Sequence, residues 1–491
     1  MEEQARASLR QELSQLRKNL PEGVLSTDRQ SVWLDQDLVA VQNDRKGELL
    51  EGFDLKSEGF EDWLREARSA NAPDPSADPD EHGTPVFASR PAVLLYSFEA
   101  LSNAPDDEMI AAGLAADLKT TLSYWRRFPV IGPEAIGWKT AKELDLRSAA
   151  ELVKAVYAIT GTTRCLGGKL KITVDLSETE NGRLLWSQQF EGTLEDIFNF
   201  QEEVSRAIVA QIEPQLSHAE ATRIERTRPK SIGPWQLLAQ ADDIDRKRGE
   251  AYGTIESNQE QVELMDKALE IQPDFAPALA RKARVHFREG LLSWVEDRAV
   301  SYANALELCK RALEIDPENW EAHAFSGLVN IFGYHNYELG AYHGSEAIRL
   351  NPSATIARQA CGCSLEWIGK PEEALEHLYF IFRLDPSYVG RAAVLGDITT
   401  CEMFLGNREA SLDAARQLFA ISADYARGLQ RCVSTFGFFG EQEPAQDALA
   451  RLKQLQPDFD TNYVRETYPY AREQDLDTIL TGFSNAGAFQ D

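Results

Sequence analysis

The chain has 491 residues, 43% of them hydrophobic, and a formal charge of −28. That length holds roughly two to four domains with apolar residues enough for their cores, and so negative a balance excludes a protein that coats nucleic acid with a basic surface. Six cysteines without a paired framework, no apolar run near the ~18 residues a bilayer demands, and a charged start without a signal-peptide core predict a reducing, cytoplasmic setting.

Residues 1–20 read as one helix, because Ala5, Leu9, Leu13, Leu16 and Leu20 recur at three and four. Arg6, Arg10, Arg17 and Lys18 lie off that stripe, beside Gln11 and Gln15, and Pro21-Glu22-Gly23 ends the helix. Two short strand-like runs follow, Val24-Leu25 and Ser31-Val32-Trp33-Leu34, separated by the polar residues 26–30. A basic helix followed by a hairpin is the order of a winged-helix reader, whose helix enters the major groove. The plain alternative is an amphipathic helix with a solvated charged face.

The phrase from Ala7 through Lys18 resembles the recognition helix of bacterial transcriptional activators of the antibiotic-regulatory class, and residues 28–35 resemble their wing. That resemblance implies DNA contacts from Arg6, Arg10, Gln11, Arg17 and Lys18, with Arg29 on the wing. Gly47-Glu48-Leu49-Leu50-Glu51-Gly52-Phe53 and Phe60-Glu61-Asp62-Trp63-Leu64-Arg65 look like the opening of the helical activator domain of those proteins. The expected arrangement is a partial winged helix over 1–44 and an activator remnant over 45–70. The two helices that support such a recognition helix are missing ahead of it, so the element is expected to be truncated at its amino terminus. Residues 71–90, rich in proline and acid, read as a linker.

Residues 91–220 predict an α/β domain. A buried-strand run at 92–98 leads to a helix over 107–127 with Leu114, Leu118 and Leu122 on one face. A short strand at 128–131 and a short helix at 148–153 come next, then strands at 155–165, 170–176 and 184–190, and a closing helix over 194–216. The turns at Gly167-Gly168 and Glu180-Asn181-Gly182 suit positive φ. This order implies a mixed sheet covered by helices. Gly167-Gly168-Lys169 lacks phosphate-loop spacing, and Leu170 stands where Ser or Thr should hold magnesium, so it reads as a hairpin turn. Asp106-Asp107-Glu108 reads as acid at a helix start.

Four phrases, Phe98-Glu99-Ala100-Leu101-Ser102-Asn103, Gly113-Leu114-Ala115-Ala116-Asp117-Leu118, Gly182-Arg183-Leu184-Leu185-Trp186-Ser187 and Leu194-Glu195-Asp196-Ile197-Phe198, are similar to the domain related to the TolB amino-terminal fold. That domain accompanies repeat arrays in bacterial regulators and adenylate cyclases. The resemblance implies a sensing or coupling role and carries over no catalytic set.

Residues 231–461 form an array. Ile271-Gln272-Pro273, Ile315-Asp316-Pro317, Leu350-Asn351-Pro352, Leu384-Asp385-Pro386, Ile421-Ser422-Ala423 and Leu455-Gln456-Pro457 return at intervals of 44, 35, 34, 37 and 34 residues. A period near ~34 in a helical sequence marks stacked helix pairs. Ala268, Ala312, Ala347, Ile381, Leu418 and Leu452 occupy one position of the phrase, and the clearest unit, 353–386, has Gly362 at a close approach and Gly369 in a turn. The long first interval predicts an extended loop or helix near 291–299. These units resemble tetratricopeptide repeats, which implies an all-α solenoid with a protein or peptide partner in its groove. Arg281, Asn330, Arg358 and Asp397 are candidate groove residues.

Residues 462–491, with Tyr468, Tyr470 and Leu480, are expected to cap the last repeat. Cys361 and Cys363 have no second pair at zinc spacing, and His335 and His343 miss the i, i+4 spacing of a helical metal pair. No catalytic residue, metal or cofactor is expected.

The reading is a cytoplasmic signal-responsive regulator, transcriptional if the first element reads DNA. The alternative is an interaction scaffold, or a regulatory relic of a nucleotide-cyclase-type protein. Under the DNA-reading expectation, Arg10→Ala costs about 1–3 kcal/mol of specific DNA binding, measurable by fluorescence anisotropy. Binding unchanged in both Arg10→Ala and Arg17→Ala contradicts it.

Overall fold

The structure is a computed structural model that describes residues 25–27, 32–34, 90–102, 107–132, 135, 144–194, 197–229, 231–247, 253–422 and 424–489. The chain divides into two compact units, Met1–Thr84 and Pro85–Asp491. In the first unit β1 (Leu25–Thr27) and β2 (Val32–Leu34) pair antiparallel, with Ser26 opposite Trp33. The candidates Arg6, Arg10, Gln11, Arg17, Lys18 and Arg29, the activator-like phrases and the linker up to residue 89 lie outside the described residues.

The second unit opens with β3 (Ala92–Ala100), α1 (Asp107–Ser123), β4 (Val130–Ile131), α2 (Leu146–Leu152), β5 (Ala155–Leu166), β6 (Lys169–Glu178), β7 (Leu184–Thr193) and α3 (Ile197–Thr227). The strands form one mixed sheet in the order β4-β3-β5-β6-β7. β3 pairs parallel with β4 and β5, since helical crossovers separate them, and short turns make the β5-β6 and β6-β7 pairs antiparallel. Gly167 and Gly168 have φ of 58° and 78° and link Leu166 to its partner Lys169, the two-residue turn that needs positive φ at both centres. The Gly-Gly-Lys triplet is therefore a hairpin turn.

Alternation along β6 sends Leu170, Ile172, Val174 and Leu176 into a core with Leu114 and Leu118 of α1 and Ile208 and Ile212 of α3. On the other face Leu94, Ala155 and Ala158 meet Ala149 and Ala150 of α2. Asp107, fully buried at the start of α1, accepts from Thr163 Oγ1 at 2.5 Å, from Ser102 N at 3.0 Å and from the Ser102 hydroxyl. Burial opposes its ionisation, but these hydrogen bonds outweigh burial and hold the carboxyl below its usual range. It fastens the helix start to β5.

The expected end of α3 at Leu216 falls short. Pro214 lies inside the helix, which continues to Thr227 with Ala219, Ala221 and Ile224 buried. Tertiary packing here outweighs the helix-ending tendency of proline.

The remaining helices are α4 (Pro234–Lys247), α5 (Ile255–Ile271), α6 (Ala276–Leu291), α7 (Arg298–Ile315), α8 (Trp320–Tyr334), α9 (Tyr337–Leu350), α10 (Thr355–Trp367), α11 (Pro371–Leu384), α12 (Arg391–Phe404), α13 (Arg408–Ile421), α14 (Ala426–Phe438), α15 (Gln442–Leu455), α16 (Thr461–Thr467) and α17 (Glu473–Asn485). Among the described residues no helix is long and apolar enough to cross a membrane. They stack as a solenoid of helix pairs. Each recurring phrase ends the second helix of a pair, and Ala268, Ala312, Ala347, Ile381, Leu418 and Leu452 are completely buried. Ala268, Ala312, Ala347, Ile381 and Leu452 also accept, through their carbonyls, the backbone N–H of the capping residue. The proline that follows cannot continue the helix. The long first interval is divided between residues 292–297 and two longer helices, α6 and α7.

Close helix crossings depend on glycine. A Cβ on Gly362 would lie 2.8 Å from Leu378 Cγ, and one on Gly482 of α17 would lie 2.0 Å from the Ser434 carbonyl oxygen of α14. Gly482→Val is therefore expected to lower the unfolding free energy by at least about 1–3 kcal/mol, read from denaturant titration. An unchanged midpoint would contradict this crossing.

Candidate functional site

The site is built from the first helices of successive pairs, α6, α8, α10, α12 and α14. Their facing side chains, with Asp245 of α4, bound a cavity of about 120 Å³. Periodicity places apolar residues toward the stack, but this inner face also carries buried charge, arranged in two clusters.

The first cluster joins the α/β domain to the coil. Arg127, just past α1, reaches Glu213 of α3 at 3.1 Å, Asp242 of α4 and Glu321 of α8 at 3.1 Å. Arg281 of α6 bonds Glu321 at 3.0 Å and Asp242. Asp245 then serves Arg284 at 2.8 Å and Arg288 at 3.4 Å. Burial opposes ionisation of Asp242, but Arg127 and Arg281 outweigh it and bring the carboxyl down to about 2. Burial pushes the Glu213 carboxyl up, with Arg127 only partly offsetting it. A second attachment lies farther along the coil. Leu384 of α11 packs on Ala207 and Ala210 of α3, and Gln211 Nε2 donates to the Leu384 carbonyl at 2.9 Å.

The second cluster lies between α10, α12, α14 and the tail. Arg431 is bound by Glu366, by Asp397 at 3.3 Å and by the hydroxyl of Thr400. Tyr470 donates to Glu366 at 2.8 Å and stacks on Trp367 with ring centroids 4.1 Å apart. Ala471 N donates to the Trp367 carbonyl at 2.9 Å. Burial, reinforced by Glu366, pushes the Asp397 carboxyl up. The tail thus packs α17 on α14, as a cap does, and also threads Tyr468 and Tyr470 into the inner face.

The structure does not bring the four groove candidates together. Asp397 lines the cavity, and Arg281 lies in the junction cluster behind it. Asn330 is buried and donates to the Ser326 carbonyl one turn back, at 2.8 Å. Arg358 stacks on Phe380 at 4.2 Å and donates to the Pro352 carbonyl at 3.1 Å, beside a shallow depression along α11. Burial pushes its guanidinium down to about 10. Arg127, Glu366 and Arg431 were not singled out from sequence, and no local pattern marks them.

Cys361 and Cys363 lie on α10, and burial pushes the Cys361 thiol up to about 11. Among the described residues no group of three or more His, Cys, Asp or Glu gathers as metal ligands. His343 pairs with His323, Nδ1 to Nδ1 at 2.9 Å, while His335 caps α8 in the left-handed conformation. His323 Nε2 lies 3.2 Å from the Pro317 carbonyl and donates to it. Neutral His323 therefore accepts at Nδ1 from His343, a tautomer assignment that follows from the bonding.

No protein-family model matches the chain. Over 261 residues the chain is 24% identical to "Putative adenylate cyclase 3" of Rhizobium meliloti (strain 1021), a match covering 53% of this chain and 43% of that protein. The chain therefore spans less than half the length of that relative. Among solved structures, pilF of Pseudomonas aeruginosa is 20% identical with a TM-score of 0.31, covering 45% of this chain and 95% of that one. YrrB, described as a TPR protein with an unusual peptide-binding site, is 20% identical with a TM-score of 0.28, covering 40% and 94%.

Burial and the neighbouring His323 push His343 down to about 4, from about 6.5 in an unfolded chain. The unfolded chain takes up the proton first, so the stability of the neutral pair is complete above about pH 6.5 and falls as pH drops toward 4. The expected loss is no more than about 2 kcal/mol after solvent screening. Denaturant titration across this range should show it, and His343→Gln should flatten it. An identical pH dependence in the variant contradicts the assignment.

Proposed function

We propose that this chain is a binding and coupling part of a cytoplasmic signalling protein, built on tetratricopeptide-type repeats. The coil takes a protein or peptide partner, and the α/β domain receives the consequence. The observation that carries the reading is the double attachment of the coil to the α/β domain. Arg127 is held between α3, α4 and α8, and α11 rests on α3. A partner that changes the curvature of the coil must move α3 or strain these contacts, since packed interfaces resist continuous deformation. Arg281, Asn330, Arg358 and Asp397 remain the proposed groove residues of the array. The likeness to a protein named as an adenylate cyclase supports a regulatory place in nucleotide signalling.

A DNA-reading first unit is the second reading, favoured by the β1-β2 pairing where a wing is expected. Affinity capture with the full chain from its native cells, followed by hydrogen exchange on the complex, separates the two. The coupling reading expects a captured protein that protects amides in the coil and alters exchange in α3. Captured DNA, with protection confined to residues 1–84, would overturn it.

A further inference from the structure

We propose that the cavity inside the coil is a binding site for a compact aromatic carboxylate. Its volume, about 120 Å³, approaches that of the engineered cavity of about 150 Å³ that accepts a benzene ring. Two features distinguish it from a packing defect. Its apolar wall is aromatic, with Phe287, Phe325, Phe332 and Trp367. The Phe287 ring lies 5.9 Å from Phe325, tilted, and 5.7 Å from Phe332, edge-on, an arrangement against which another ring can pack.

Among the described residues, the polar wall carries one cation with no ion-pair partner. Arg284, Arg288, Arg427 and Arg431 face the cavity with the carboxylates Asp245 and Asp397, while Glu321 and Glu366 beside the wall also serve Arg284, at 4.0 Å, and Arg431. Asp245 is shared by Arg284 at 2.8 Å, Arg288 at 3.4 Å and Arg281 at 3.9 Å. Arg427 is only 5% exposed, and among the described residues no ion pair is formed by it. Its Nη2 donates to the Thr467 carbonyl at 3.1 Å, its guanidinium lies 4.4 Å from the Tyr468 ring centroid, and its Nη1 finds no acceptor. A buried cation with no counter-ion is costly, and an anion in the cavity offsets that cost.

Arg284 is the cation best placed to meet the ligand. Its side chain keeps 14% of its surface open, compared with 8% for Arg288 and 4% for Arg431. Burial and the adjacent Arg281 push its pKa down, so a nearby anion relieves it. Arg427 contributes positive potential from the wall. One uncompensated charge calls for a monoanion, and the rings call for an apolar body. An inorganic phosphate dianion brings more charge than the wall leaves uncompensated and nothing for the rings to hold. This site does not depend on the partner-binding reading above.

The experiment is isothermal titration of the full chain with benzoate, phenylacetate, benzamide and inorganic phosphate. One of the two carboxylates should bind at a single site, with benzamide and phosphate weaker by at least about ten-fold. Arg284→Gln and Arg427→Gln should each weaken carboxylate binding by a similar factor. Ala393→Leu fills the cavity from its wall without changing charge. It should abolish binding while the unliganded chain keeps its thermal transition. The proposal is overturned if neither carboxylate binds at millimolar concentration, if benzamide binds as well as benzoate, or if folded Ala393→Leu binds as the wild type does.

Discussion

Arg127 leaves the α/β domain and ends among three carboxylates, those of Glu213, Asp242 and Glu321, from three different helices. A guanidinium carries donors in a fixed fork, so carboxylates from separate elements can share it only in a narrow range of geometries. Taking these charges out of water is expensive, and their mutual attraction returns little net stability. Losing one member is different, because the others are left buried and uncompensated, at about 3–5 kcal/mol. The network therefore acts on geometry, setting where α4 and α8 stand relative to the sheet. The coil inherits its starting angle from that contact and meets α3 again at α11.

The same logic closes the inner face. Arg431 holds Glu366 and Asp397 from two neighbouring helices, and Tyr470 adds the tail to that set. The ring of Tyr470 on Trp367 covers what an open groove would expose. The coil interior thus holds a cavity whose Trp367 wall is backed by the tail.

Much of this architecture was legible in the sequence. Five of the six phrases that end a pair join a buried side chain, a capping bond and a proline, three local requirements that leave a local pattern, and Ile421-Ser422-Ala423 keeps only the buried Leu418. The sheet was legible through alternation and through Gly167-Gly168, whose positive φ no other residue adopts as readily. The full length of α3 was not, because Pro214 reads as an ending while the packing of Ala219 and Ile224 that overrides it is tertiary. The charge clusters were also hidden, since Arg127 and Glu321 are 194 residues apart and Arg431 and Glu366 are 65. Groove placement failed to converge for a related reason. Arg358 and Asp397 both look polar on a first helix, yet one faces Phe380 and the other Arg431.

Because Arg127 ties α3, α4 and α8 together, the α/β domain and the coil are expected to unfold as one body. Scanning calorimetry of the full chain, wild type against Arg127→Met, reads that coupling, with Arg147→Met, exposed and, among the described residues, ion-paired only within its own helix, as control. The α/β domain and the coil should share one transition in the wild type and in Arg147→Met. In Arg127→Met that transition should split or move to lower temperature. A wild-type transition that persists unchanged in Arg127→Met would contradict it.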